Sequence, residues 1–238
     1  MARNVTLTRL LDKLRGELRL SLNPAHNRQV RDSHVLQLQR QQERLWNDFA
    51  WPHLRKRRFI TLVAGQRYYD PPDDMLLDRV ESISVKWGGD WKPLTREIDD
   101  ERLSAFDSDE GEQSWPIEAW RIDENEKIEV WPVPSTDGDV TTREGQMRVT
   151  GIRNLRPLVA DSDRCDLDDE LIVLSAAGVL LAAAGAKDAE LKLRQANTLY
   201  SRLRGNLTPL RQYKLFARAP DRPRRPRGPP TIHYRTET

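Results

Sequence analysis

The stretch that most constrains the fold is Arg57-Arg58-Phe59-Ile60-Thr61-Leu62-Val63-Ala64-Gly65-Gln66-Arg67-Tyr68-Tyr69-Asp70-Pro71-Pro72-Asp73-Asp74-Met75. Phe59 to Val63 is a β-prone run, and Tyr68-Tyr69 resume it. Ala64-Gly65-Gln66 between them reads as a turn in which glycine takes a positive φ. Pro71-Pro72 must end the second run, because proline offers no N–H to a ladder. The reading is a β-hairpin. It carries no Gly-rich phosphate loop, no metal-ligand spacing and no Ser/His/Asp set, so the chain is read first as a structural module.

Helices precede it. Thr6 is a candidate N-cap, and Leu7, Leu10, Leu11, Leu14 and Leu18 follow at helical spacing as one apolar stripe. Asn23-Pro24 breaks that helix. Asp32 or Ser33 caps a second one running to about Phe49, with Val35, Leu38, Leu45, Trp46 and Phe49 as its apolar positions. Its polar midsection, Gln37 to Gln42, suits a helix facing neighbours in a ring, or a surface helix with a thin stripe. Trp46, Phe49 and Trp51 cluster where Pro52 stops the helix and are expected to plug the junction between helices and sheet.

Strands follow. Pro72 to Leu77 reads as a short helical turn with proline first and acids behind it. Arg79 to Trp87 alternates cleanly from Ile83 onward; Gly88-Gly89-Asp90 is a hairpin turn; Trp91 to Thr95, interrupted by Pro93, is an edge strand. Asp99 to Phe106 reads as a short helix. Trp115–Ile122 and Lys127–Val133 form a second hairpin around Asp123 to Glu126, Ser135 to Gly145 is a loop, and Gln146 to Arg153 is a last strand. Five to seven strands in an antiparallel sheet or small sandwich are expected. Asp166 or Asp168 caps a third helix, Glu170 to about Ala186, with a small-residue face. Asp188 opens a fourth through Leu191, Leu193, Leu199, Tyr200 and Leu203, ended by Gly205-Asn206.

The fold class is therefore α+β. A four-helix bundle forms from N- and C-terminal helical hairpins (1–55 and 161–216), with an antiparallel β domain inserted at 56–160. From Ala217 the character changes. Pro220, Pro223, Pro226 and Pro229 recur every third residue, the period of polyproline II. Residues 217–238 are read as an extended arm, with Arg218, Arg222, Arg224, Arg225 and Arg227 on its other edges. Its β-prone tip contains Ile232, His233, Tyr234 and Arg235, able to add to a partner's sheet edge. A disordered basic tail and a nucleic-acid contact are the other readings of this segment.

Hydrophobic residues make up 37% of the 238 and charged residues 32%, with a net charge of +2. That is polar for a globular chain, and it fits a thin subunit that completes its core against copies of itself. The small net charge hides segregation. Residues 1–58 carry 13 Lys/Arg and 5 Asp/Glu, residues 97–126 carry 2 and 12, and residues 211–238 carry 8 and 2. Basic ends around an acidic middle suit contacts between unlike surfaces. Cys165 is the only cysteine, so no intrachain disulfide is expected, and its acidic neighbours disfavour a nucleophile. His26, His34, His53 and His233 show no metal-ligand spacing. Asp161-Ser162-Asp163 lacks the glycine and distal glutamate of a calcium loop. No signal segment precedes the first helix, and Leu171 to Ala186 is too short and weak to span a membrane. No enzyme, cofactor or metal site is expected.

The helical hairpin, Trp51, the run Phe59 to Asp74 and the strand Arg79-Val80-Glu81-Ser82-Ile83 together resemble the head-to-tail adaptor proteins of tailed bacteriophages, the tail tubular protein A-like group. Residues 40–90 carry the likeness well; the flanking helices match in type and order. The resemblance implies a non-enzymatic virion protein of the head–tail neck, made in the host cytoplasm. It would form a homo-oligomeric ring, usually of twelve subunits, beneath the portal protein. The C-terminal arm would embrace the portal, the sheet domain would face a tail nozzle or tail-tube protein, and packaged DNA would pass through the lumen, with no membrane involved. The long Pro/Arg arm departs from the family pattern and leaves its docking partner open. The competing class is a nucleic-acid-binding protein using its basic termini, and a Pro-rich signalling scaffold is a third.

Overall fold

The computed structural model describes residues 2–207. The first helices are α1 (Leu7–Glu17) and α2 (Arg31–Asp48), with 3-10 turns at Pro24–Val30 and Pro52–Leu54. The first strands are β1 (Arg55–Thr61), β2 (Tyr68–Tyr69), β3 (Met75–Trp87), β4 (Asp90–Pro93) and β5 (Thr95–Arg96). After the short helix α3 (Asp100–Ala105) come β6 (Gln113–Ser114), β7 (Ala119–Ile122), β8 (Ile128–Trp131), β9 (Val133–Pro134) and β10 (Gln146–Arg153). Two helices close the described chain, α4 (Asp169–Ala183) and α5 (Ala189–Leu207). The class is α+β.

Among the described residues two large hydrophobic cores form, with a small third cluster on the outer side of the second sheet. In the helical core, Leu7, Leu10, Leu11 and Leu14 of α1 are buried against Leu171, Ile172, Ala176 and Ala177 of α4 and Leu38 and Leu45 of α2. α4 is the hub, packing on α1, α2 and α5. Its start is capped as the sequence indicates, by Asp168 accepting from the Leu171 N–H at 3.2 Å. Thr6 occupies the N-cap position of α1 but makes no side-chain cap bond; instead the Leu7 N–H donates to the Asp163 carbonyl at 2.8 Å. Trp51, 1% exposed, plugs the junction as expected, its indole N–H donating to the Leu45 carbonyl at 2.8 Å. Truncating a tryptophan so placed costs about 3–5 kcal/mol.

The second core lies between two sheets. The first runs β1-β10-β3-β4 and the second β2-β8-β7-β5. Ile83, Val85, Met147 and Val149 from the first face Trp120, Ile128 and Val130 from the second. Among the described residues there are ten strands rather than five to seven, because short segments close the sheet margins; β5 on β7 and β6 on β9 pair in parallel.

The opening hairpin is corrected. β1 pairs with β10 and β2 with β8, so the two runs belong to different sheets. Leu62 to Arg67 is a corner that carries the chain from one sheet to the other. Gly65 takes the expected positive φ of 77° and its N–H donates to the Pro134 carbonyl at 2.8 Å. The Tyr69 hydroxyl fixes the corner, accepting from the Val63 N–H at 3.1 Å and lying 3.0 Å from the Gln66 carbonyl.

Other expectations change for local reasons. The helical turn at Pro72 to Leu77 is a tight turn followed by strand, since β3 already starts at Met75. A register shift in the β10–β3 pairing near Glu81 puts Val80 and Ile83 on one face, which is why the alternation is clean only from Ile83. Gly88 and Gly89, both with positive φ, make the β3–β4 turn, and β4 is an edge strand as its proline requires. Gln41 and Gln42, expected to face neighbours or solvent, are buried within the chain; Gln42 accepts the Asp166 N–H at 3.2 Å. Leu191 is 55% exposed rather than part of the α5 packing face. α5 runs through Gly205-Asn206 to Leu207.

Candidate docking surfaces

The sequence assigned docking to Arg218, Arg222, Arg224, Arg225, Arg227, Ile232, His233, Tyr234 and Arg235. All lie outside the described residues. What the described residues build is a rigid joint and two surfaces of opposite character.

The joint ties the sheets to the helices. Asp166, buried just ahead of α4, takes Arg153 from the end of β10 and both the N–H (2.8 Å) and side chain of Arg156. Burial alone would push the Asp166 carboxyl up, but the bonds from Arg153 and Arg156 outweigh it and hold it below the usual carboxylate range. His53 lies 2.9 Å from the Asp166 carbonyl through Nε2, while its Nδ1 is buried without a partner. Burial holds the His53 pKa below 6.5. Nearby, Asp169 accepts the Ala2 N–H at 2.9 Å and pairs with Lys13 of α1. The adjacent aspartates therefore divide their work: Asp168 caps a helix, and Asp169 anchors the N-terminal segment.

The outer face of the first sheet is basic and aromatic. Because side chains alternate along a strand, Arg57 and Phe59 of β1 share this face with Arg148 of β10 and Trp91 of β4. Phe59 is 41% exposed, its ring centroid 5.7 Å from that of Trp91 at 43°. The Arg143 guanidinium lies 4.4 Å from the Phe59 ring centre, and that of Arg148 lies 4.4 Å from that of Trp91. Arg148 has no carboxylate partner among the described residues, and its Nε is buried without a hydrogen bond. Burial, then the like charge of Arg57, lowers its pKa.

The second sheet is covered on its outer side by α3 and the loop behind it. Trp131 donates from its indole to the Phe106 carbonyl at 3.1 Å, and Ile98, Ala119 and Trp131 pack with Leu103. Buried Glu129 receives Arg67 at 2.6 Å and Arg121 at 2.5 Å, and Arg67 also reaches Asp109 of the loop. This layer is acidic: Asp99, Asp100, Glu101 and Glu110 are exposed without an ion pair among the described residues. Opposite sides of the sandwich thus carry opposite charge. The sequence exposed the acidic run, but the basic face escaped it. Its signal is Arg57 and Phe59 two apart on one strand, with Arg148 in the middle of another, and only strand register brings them together.

No group of three His, Cys, Asp or Glu among the described residues could hold a metal ion. Cys165 is buried, and burial followed by the charges of Asp169 and Asp166 pushes its thiol up. No helix among the described residues is long and apolar enough to cross a membrane.

A model of the SU10 adaptor protein family matches residues 5–227. The chain belongs to the SU10 adaptor protein family. The match takes in α1 through α5, both sheets and Arg218 to Arg227; the β-prone tip from Ile232 to Arg235 lies beyond it. Membership in the SU10 adaptor family makes the chain a structural adaptor and virion component of a bacteriophage, working among portal and tail proteins. Comparison with curated proteins finds no match.

Proposed function

We propose that this chain is the head-to-tail adaptor of its phage: a non-enzymatic subunit of a ring, twelve-fold in the family pattern, seated beneath the portal. Its four long helices act as one bundle carrying the inserted sandwich. The sandwich faces a tail nozzle or tail-tube protein, residues 217–238 dock on the portal, and packaged DNA passes through the lumen. The family match across residues 5–227 carries this reading. The segregated charge and the Pro/Arg composition of the arm support it.

The test removes residues 217–238 and measures attachment to purified portal by co-sedimentation and electron microscopy. Loss of attachment with an unchanged circular dichroism spectrum is expected. A truncated chain that still assembles on portal would overturn the docking role of the arm. Salt-dependent binding of duplex DNA, lost when Arg222, Arg224, Arg225 and Arg227 become Ala, would favour the nucleic-acid reading instead.

A further inference from the structure

We infer that the basic, aromatic outer face of the first sheet receives the acidic layer over the second sheet of another copy of this chain, so that copies associate head to tail. This deepens the ring reading above and rests on it.

The face is built for an anionic occupant. Arg148 stands on β10, flanked by β1 and β3, stacked on Trp91 with a buried, unpartnered Nε. Arg57, diagonal to it across the β1–β10 ladder, adds a like charge and has no carboxylate of its own among the described residues. The acids at the margin are engaged elsewhere: Glu81 pairs with Arg55, and Glu144 accepts the Gly89 N–H at 2.6 Å. Exposed Phe59 and half-buried Trp91 add apolar area beside the cations. An oxyanion laid over this face gives Arg57 and Arg148 the partners they lack.

The same chain carries the matching surface. Residues 97–126 hold 12 acids against two arginines. One of those, Arg102, lies over the Trp131 ring, and the other, Arg121, is taken by Glu129. Asp107 and Glu112 are spent on N–H groups of their own loop, at 2.8 and 2.9 Å. Glu97 pairs with Arg96, Asp109 with Arg67, and Asp123 holds Asn125 in its own turn. Among the acids left exposed without an ion pair in the described residues, Asp99, Asp100, Glu101 and Glu110 belong to α3 and the loop behind it. Two unlike surfaces on opposite sides of one sandwich favour a heterologous contact, the kind that builds a ring when the rotation between successive copies closes. A two-fold contact through either surface would set like charges together. Nucleic acid fits less well, because Phe59 and Trp91 are tilted against each other with guanidinium groups on their rings, so no flat platform is open to stacked bases.

The experiment uses the full chain and three charge reversals: R57E/R148E on the face, D100K/E101K/E110K on the acidic layer, and all five together. Mass is read by sedimentation velocity over a concentration series at low and high salt, with circular dichroism to verify folding. The wild type is expected to form oligomers that dissociate as salt rises. Each partial reversal should lose them, and mixing the two partial variants, or making all five changes in one chain, should restore them. Oligomers that survive either partial reversal would overturn this contact and leave the ring reading standing. So would two losses that mixing fails to rescue. A wild type that stays monomeric at every concentration also overturns it, while the portal-attachment assay decides the adaptor reading separately. If the face reversal removes duplex-DNA binding and leaves the oligomer intact, the face serves phosphates and the inference fails.

Discussion

Arg153, the last residue of β10, reaches Asp166 ahead of α4, with Nη1 3.2 Å from Oδ2. The side chain of Asp166 is 1% exposed and that of Arg153 is 18%. Removing one member of such a pair strands the other without its partner. Asp166→Ala is expected to destabilise the chain by about 3 kcal/mol, the lower end for a buried pair because Arg156 stays wet. Arg58→Ala, which breaks the exposed pair with Asp74, should change stability by less than about 1 kcal/mol. Urea midpoints measure both; equal effects would deny the joint its role.

The same joint sets an acid limit. The Asp166 pKa is lowered in the fold, so its contribution is present above the unfolded carboxylate range and lost as pH falls through the folded value. The His53 pKa is also lowered, from 6.5, mainly by burial. Its neutral form is the one the fold accommodates, so stability declines as pH drops below about 6.5. Urea midpoints across pH should fall in two steps, the first shallower in His53→Gln and the second shallower in Asp166→Asn. A profile flat from neutral pH down to the carboxylate range would contradict the His53 assignment.

At the corner between the sheets, Tyr69→Phe removes only a hydroxyl, yet that oxygen serves both Val63 and Gln66. A loss of about 1–2 kcal/mol is expected. Tyr68→Phe, at an exposed ring, should be within about 0.5 kcal/mol of wild type. Thermal unfolding of the two variants, compared at equal concentration, checks this.

Gly178 inverts the ordinary helix rule. Alanine in a helix interior normally gains about 1 kcal/mol over glycine. Here a Cβ would stand 2.6 Å from Leu193 Cδ2 and 3.3 Å from the Leu193 nitrogen, so the Leu193 side chain would have to be displaced and the α5 backbone to give slightly. Overpacking of that kind costs about 1–3 kcal/mol, and Gly178→Ala is expected to be net destabilising by about 1 kcal/mol. Adding Leu193→Ala should make the double variant more stable than the sum of the singles; strict additivity would show the helices are not in this close contact.

Sequence pattern located the elements whose burial is periodic and local. The Leu7–Leu14 stripe, the Asp168 cap, the Gly88-Gly89 turn and the β7–β8 hairpin all follow from spacing and turn chemistry. It failed where the partner of a strand is remote. Phe59 to Val63 and Tyr68-Tyr69 look like two arms of one hairpin because the turn residues suit one. Nothing local records that Thr61 pairs with Gln146 while Tyr69 pairs with Ile128. Gln41 and Gln42 read as surface because amides prefer water, and only the Asp166 backbone explains the burial of Gln42. The basic face was hidden for the same reason: Arg57, Trp91 and Arg148 are neighbours by register alone.

The pairing of β1 with β10 also bears on when the protein can fold. Arg55 lies opposite Ile152, and α1 is held by α4, which lies later still in the chain. During synthesis β1 leaves the ribosome with its ladder partner unmade; the sheet core waits for β10, and the helical core for α4 and α5 in the final third of the chain. Closing such distant contacts is slow. The four basic residues of β1, Arg55 to Arg58, keep that waiting edge from pairing with the nascent strands of its neighbours.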